Sequence, residues 1–142
     1  MGLKTAIIIG AGSRGAKVYA PYALEHPNEL KIVAVAEPNR ERLLKVKEAH
    51  DLSDEKCYRS WEEAFQEEAV ADIAIICTQD KHHFEPTMKA LELGYDVLLE
   101  KPMSPDPLEC IELEKAAKRY DRQLTIGHVL RYTPFWQAVK KK

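Results

Sequence analysis

Hydrophobic positions come in short blocks along this chain, separated by polar stretches that carry glycine, proline or charge. Ala6-Ile7-Ile8-Ile9 is an unbroken apolar run, and Leu30 to Ala36 and Val70 to Cys77 are two more stretches that are apolar except for Lys31 and Asp72, the second stretch centred on Ile73-Ala74-Ile75-Ile76. Continuous β-branched runs of this length predict strands buried on both faces, as in a parallel sheet. Shorter runs at Cys57-Tyr58, Tyr95 to Leu99 and Gln123 to Gly127 predict three further strands. Helices are predicted between them. The first covers Ala16 to Glu25, with a kink or an early end at Pro21, which lacks a backbone donor. The second runs from Arg40 to about His50. Ser60-Trp61-Glu62-Glu63 has the form of a capping box, so a helix starts at Trp61. Another runs from the polar loop Thr78–His83 to Leu93, with Gly94 as its C-cap. Asp106-Pro107 supplies the N-cap and first residue of a helix to about Tyr120. Strands and helices alternate throughout. The predicted fold is therefore α/β: a Rossmann-like, doubly wound parallel sheet with helices on both faces and strand order 3-2-1-4-5-6.

That architecture gives the polar clusters a common address. Gly10-Ala11-Gly12-Ser13-Arg14-Gly15 follows the first strand in the form G-x-G-x-x-G. Gly10 makes the tight turn, Gly12 lets backbone approach a pyrophosphate, and Gly15 lets the next helix pack on the strand. The helix start leaves amides unpaired for an anion. Glu37 ends the second strand at the distance expected of the acid that holds the adenosine ribose. Its charge favours NAD and would repel a 2′-phosphate. Arg40 and Arg42 lie just beyond, and they either neutralise such a phosphate or are plain solvated helix residues, so NADP stays open.

Lys101 follows an apolar strand and precedes Pro102, which makes it the candidate catalytic base. Glu100 beside it either pairs with the lysine, bonds the nicotinamide ribose or lies on the surface. His82 and His83 have no carboxylate or cysteine at ligand spacing, so no metal site is expected there. His128, Arg131 and Tyr132 follow the last strand, on the same side or as a simple end cap.

Composition bounds the class further. With 142 residues the chain can bury one domain core. A net charge of −2 argues against nucleic-acid binding. No apolar run reaches membrane-spanning length, and the chain opens on a strand rather than a signal peptide. Three widely spaced cysteines, Cys57, Cys77 and Cys110, fit free thiols in a reducing cytoplasm.

Taken together, the glycine loop, Glu37-Pro38-Asn39, Thr78-Gln79-Asp80-Lys81-His82-His83, Glu100-Lys101-Pro102 and Arg131-Tyr132-Thr133-Pro134 occur in an order and spacing that resemble the N-terminal domain of the glucose–fructose oxidoreductase / inositol dehydrogenase / MocA family. The family loop is commonly T-P-N-x-x-H, and here its proline and asparagine are replaced by Gln79 and Asp80. The resemblance implies an NAD(P)-dependent oxidoreductase of sugar- or polyol-like substrates. It puts Ser13, Arg14 and Pro102 with the cofactor, Thr78 and His83 along its nicotinamide half, and Arg42 over the adenine. It sets Glu100 and Lys101 against the nicotinamide ribose and substrate, and Arg131 near the nicotinamide. It implies a cofactor domain over residues 1–133, a linking helix beginning at 134–142, and a second, substrate-binding domain beyond. The chain alone is then expected to bind cofactor with little turnover and to be prone to self-association. An NAD-dependent glycoside-cleaving relative and a non-catalytic nucleotide-binding module are the alternatives.

Overall fold

The computed structural model describes residues 2–141, with backbone alone for Val129 and Leu130. Lys142, the last of three closing lysines, lies outside the described residues. Six strands form one sheet: β1 (Lys4–Ile9), β2 (Leu30–Ala36), β3 (Cys57–Tyr58), β4 (Ile73–Ile76), β5 (Asp96–Glu100) and β6 (Leu124–Gly127). All neighbouring strands pair in parallel, in the order β3-β2-β1-β4-β5-β6. The expected fold class and strand order are both borne out.

Alternation along the strands builds two cores. Ile7, Ile9, Ala34, Ile76 and Leu99 face one side and meet α3 (Trp61–Ala64), α4 (Phe84–Glu92) and α5 (Pro107–Arg119). Ala6, Ile8, Ile32, Val35 and Ile75 face the other, against α1 (Ala20–Glu25) and α2 (Arg40–Ala49). Both faces are covered, so a strand in this sheet reads as an unbroken apolar run instead of an alternating one. A last helix, α6 (Pro134–Lys140), has no buried residue. Among the described residues no helix is long and apolar enough to cross a membrane.

Local signals set most boundaries. The Asn39 side chain accepts from the Arg42 amide, Ser60 from Glu63, and Asp106 from Leu108. Two elements differ from expectation. The run after Gly12 is a π-helix, Ser13–Tyr19, that passes into α1. Pro21 has no amide to give the Lys17 carbonyl, and the wider turn ahead of it lets the chain stay helical where a kink or stop is expected. In addition, β4 begins at Ile73 instead of Val70. The Val70 amide donates to the Tyr95 hydroxyl, and Asp72 accepts from the Thr5 amide and hydroxyl, so these groups find partners outside the ladder.

Candidate active site

The sheet order brings the carboxyl ends of β1, β2 and β4 side by side, and the connection reverses between β1 and β4. Open α/β sheets bind ligands at such a point. A cleft of about 570 Å³ opens there, lined by Gly10, Gly12, Glu37, Arg42, Thr78 and His82 among others. A larger hollow of about 680 Å³ lies between α3 and α4. It is shallow and mostly apolar, shares only the α3 residues Trp61 and Glu62 with the cleft and holds none of the strand-end groups, so the cleft is the functional candidate.

The glycine loop is shaped by close contacts. Gly10 has φ +90°, and a Cβ there would sit 2.7 Å from the Cys77 carbonyl oxygen. A Cβ on Gly15 would sit 2.1 Å from the Gly10 carbonyl oxygen. Gly12 is different: a Cβ there would meet only the Arg42 guanidinium, at 4.0 Å. The loop is packed below and open above, with no side chain capping the helix that starts at Ser13. This is a cradle that a pyrophosphate fits, with amides and a helix start to receive it.

Glu37 is buried at 6% exposure and reaches into this loop. Its Oε2 accepts from the Ala11 amide at 2.6 Å and its Oε1 from the Asn39 amide at 3.0 Å. Bonds from neutral donors to a charged acceptor contribute roughly 1.5–3 kcal/mol each. The carboxylate thus ties the loop to the end of β2 and also lines the cleft.

Glu100, at the end of β5, is equally buried. Its Oε2 accepts from the Tyr19 hydroxyl at 2.5 Å, and its Oε1 lies 3.5 Å from Arg14 Nε with no hydrogen-bond donor. Its ionic partner is therefore Arg14 and not Lys101. Arg14 is 39% exposed, so that pair contributes well under about 1 kcal/mol, while the short tyrosine bond holds the carboxylate. Burial, and then the Glu100 bond, push the Tyr19 phenol upward, which keeps it a donor.

Burial pushes the Cys77 thiol up to about 12, and the Glu100 charge adds to it. Iodoacetamide at about pH 8 is therefore expected to leave Cys77 unmodified in the folded chain, because the thiolate is the reactive form. Peptide mapping that finds Cys77 labelled as fast as in urea would contradict this. A thiol ionises near 8.5 when the chain is unfolded. Its contribution to stability is thus complete below that value and is lost as pH rises towards the folded value of about 12.

Lys101 is exposed, and no carboxylate among the described residues lies within ion-pair distance of it. The Lys101–Pro102 bond is cis. Ser13 is exposed at the start of the helix and Thr78 lines the cleft. His83, expected along the nicotinamide half, is 0% exposed and faces protein on both ring nitrogens. The neighbouring His82 is the one that lines the cleft. Arg131 is exposed in the turn Val129–Tyr132, outside the cleft lining.

Among the described residues no three His, Cys, Asp or Glu side chains are grouped to hold a metal ion. Tyr19 and Trp61 are the participants that sequence reasoning missed. For Trp61 the signal was present: it starts the helix after β3, beside β2 in the strand order. Tyr19 had none, since only the π-helical turn and the bare Gly127 opposite it bring its hydroxyl to Glu100.

Residues 4–128 match the GFO_IDH_MocA oxidoreductase family, described as an NAD-binding Rossmann fold. The chain belongs to this family. The resemblance read from its motifs is borne out. This Gfo/Idh/MocA chain is 31% identical over 128 residues to D-glucoside 3-dehydrogenase of Escherichia coli, covering 88% of this chain and 33% of that one. It is 25% identical over 135 residues to inositol 2-dehydrogenase of Corynebacterium glutamicum, covering 94% and 39%. Its fold superposes on myo-inositol 2-dehydrogenase of Lactobacillus plantarum with a TM-score of 0.85, at 26% identity over 97% of this chain and 40% of the other. The WlbA dehydrogenase of Chromobacterium violaceum, solved with NADH and UDP-GlcNAcA, shares the fold at a TM-score of 0.89 and 20% identity, over 99% and 39%. The Gfo/Idh/MocA chain is an NAD(P)-binding Rossmann domain, and it spans 33–39% of the length of the two curated relatives named here.

Proposed function

We propose that this chain is the cofactor domain of a dehydrogenase that moves a hydride between NAD(H) and a hydroxyl of a sugar- or polyol-like substrate. The observation that carries the nucleotide reading is the Glu37 carboxylate, fixed on the glycine loop at 2.6 Å from the Ala11 amide and lining the same cleft as Gly12. Adenosine ribose hydroxyls donate to such a carboxylate. A 2′-phosphate in the same place meets a like charge, at a cost of about 4 kcal/mol for unit charges 4 Å apart in an effective dielectric of 20. Arg42 lines the same cleft, and in this reading it covers the adenine while Glu37 keeps the ribose.

Bound nicotinamide supplies the hydride acceptor or donor. The protein supplies position and a proton carrier. Lys101 stands just past the end of β5 with its side chain exposed, and it takes the proton from the substrate hydroxyl or returns it. Glu100, Tyr19 and Arg14 hold the end of β5 against the helix after the glycine loop, so the phosphate cradle and Lys101 keep one geometry. The sugar and inositol dehydrogenases among its relatives support the substrate class. Most of the substrate pocket belongs to a further domain in our reading, and the chain by itself binds cofactor without efficient turnover.

Glu37→Gln tests the cofactor assignment. NADH affinity is expected to fall about tenfold, as one charged hydrogen-bond acceptor becomes neutral. NADPH affinity is expected to hold or rise. Unchanged affinities for both, by titration calorimetry, would sink the assignment.

A further inference from the structure

His83 is fully buried, at 0% exposure, near the carboxyl ends of β4 and β5, and it is not among the residues lining the cleft. It sits where the turn Asp80–His82 passes into α4. Its Nδ1 lies 2.7 Å from the Pro102 carbonyl oxygen, and its Nε2 lies 3.0 Å from the Thr78 carbonyl oxygen. One imidazole thus spans the exits of β4 and β5. Its own carbonyl accepts from the Thr87 hydroxyl at 2.6 Å, which fixes the backbone the ring hangs from. The Thr78 hydroxyl donates to the His82 carbonyl at 3.0 Å, which closes the loop on itself.

Both oxygens facing the ring are acceptors only. A ring with one N–H would satisfy one of them and turn a lone pair on the other. The shorter of the two contacts is at Nδ1, which assigns the N–H to the Pro102 side.

We propose that His83 is a positioning residue: its Nδ1–H anchors the Pro102 carbonyl and so sets the direction in which Lys101 points. The clamp acts on Lys101 through one residue of backbone and touches neither cofactor nor substrate. Its consequence for hydride transfer rests on the reading of Lys101 as the proton carrier, whereas the clamp itself stands on the distances alone.

The two ring contacts can be separated by substitution. An asparagine amide reaches roughly where Nδ1 stands, and a glutamine amide roughly where Nε2 stands. His83→Asn therefore keeps the Pro102 bond, His83→Gln keeps the Thr78 bond, and His83→Ala keeps neither. The readout is the acylation rate of Lys101 by an acetyl succinimidyl ester, measured by peptide mass spectrometry against the exposed Lys31 in the same sample. In H83N the relative rate is expected within about twofold of native. In H83Q and H83A it is expected to change at least about threefold, with Lys31 constant. Equal changes in H83N and H83Q, or no change in any variant, would overturn the proposal.

A second measurement needs no variant. Ring nitrogen–proton correlation spectra of the ¹⁵N-labelled native chain are expected to show a bonded N–H at Nδ1 of His83, and a proton on Nε2 alone would overturn the clamp. ADP-ribose affinity serves as the control, since it reports the adenine half alone. Failure of the native chain to bind ADP-ribose would count against the nucleotide reading, while the Lys101 rates would still decide the clamp.

Discussion

Lys101→Met, made in a protein in which a substrate domain follows α6, is expected to lower kcat by about 10²–10⁴-fold, the usual contribution of a positioned proton-transfer group. NADH affinity is expected to stay within about threefold, because the side chain is exposed and holds no other group in place. The loss therefore falls on kcat rather than on cofactor binding, and stopped-flow reduction of NAD with a polyol substrate measures it. Retention of near-native kcat would remove Lys101 from the mechanism. It would favour the non-catalytic module, in which the lysine is only a solvated loop residue. Turnover with no net change in absorbance of the nicotinamide would point instead to transient oxidation by a retained cofactor, the glycoside-cleaving alternative.

Gly15→Ala is expected to have the largest effect on the folded chain itself. The added Cβ would stand 2.1 Å from the Gly10 carbonyl oxygen and 3.1 Å from Ile8 Cγ2. The nearer atom is backbone in a tight turn and cannot swing aside. The helix start has to lift off β1, which carries the Ser13 and Arg14 amides away from the phosphate cradle. Overpacking of this kind costs roughly 3 kcal/mol. For a domain of this size that lowers the thermal midpoint by about 6–12 °C. NADH affinity is expected to fall by at least about 100-fold in the fraction that remains folded. Gly12→Ala separates packing from binding, since its Cβ meets only the Arg42 guanidinium at 4.0 Å. That variant is expected to keep the native thermal midpoint and still lose NADH, because its methyl group occupies the approach to the pyrophosphate. A G15A chain with native stability and native affinity would show that the loop is not built as described.

The sheet was legible because parallel strands covered on both faces leave a plain mark: Ala6–Ile9 and Ile73–Ile76 are unbroken apolar runs. Glu37 was legible for a related reason, since a lone acid at the end of such a run has few other uses. What stayed hidden depends on contacts between residues far apart in sequence. Tyr19 reaches Glu100 across 81 residues, and only through the extra width of a π-helical turn. His83 is polar, and it lies in a polar loop that read as cleft lining, yet two carbonyl groups from different strand exits draw it fully inside. The start of β4 was overestimated because Val70 and Ala71 are apolar without being in the sheet. They pack on the core from a turn that Asp72 and Tyr95 hold in place.

The central claim is that the cleft beside Glu37 takes NAD(H) in preference to NADP(H). Trp61 lines that cleft and makes it directly measurable, whereas Trp136 lies on the exposed α6. Titration of the purified chain with NADH should quench Trp61 fluorescence saturably, with energy transfer to the nicotinamide, and NADPH should bind at least about tenfold more weakly. The quenching should survive Trp136→Phe and vanish in Trp61→Phe. A chain shown to be folded by circular dichroism that gives no saturable signal with millimolar NADH, or that binds NADPH as tightly, would contradict the account.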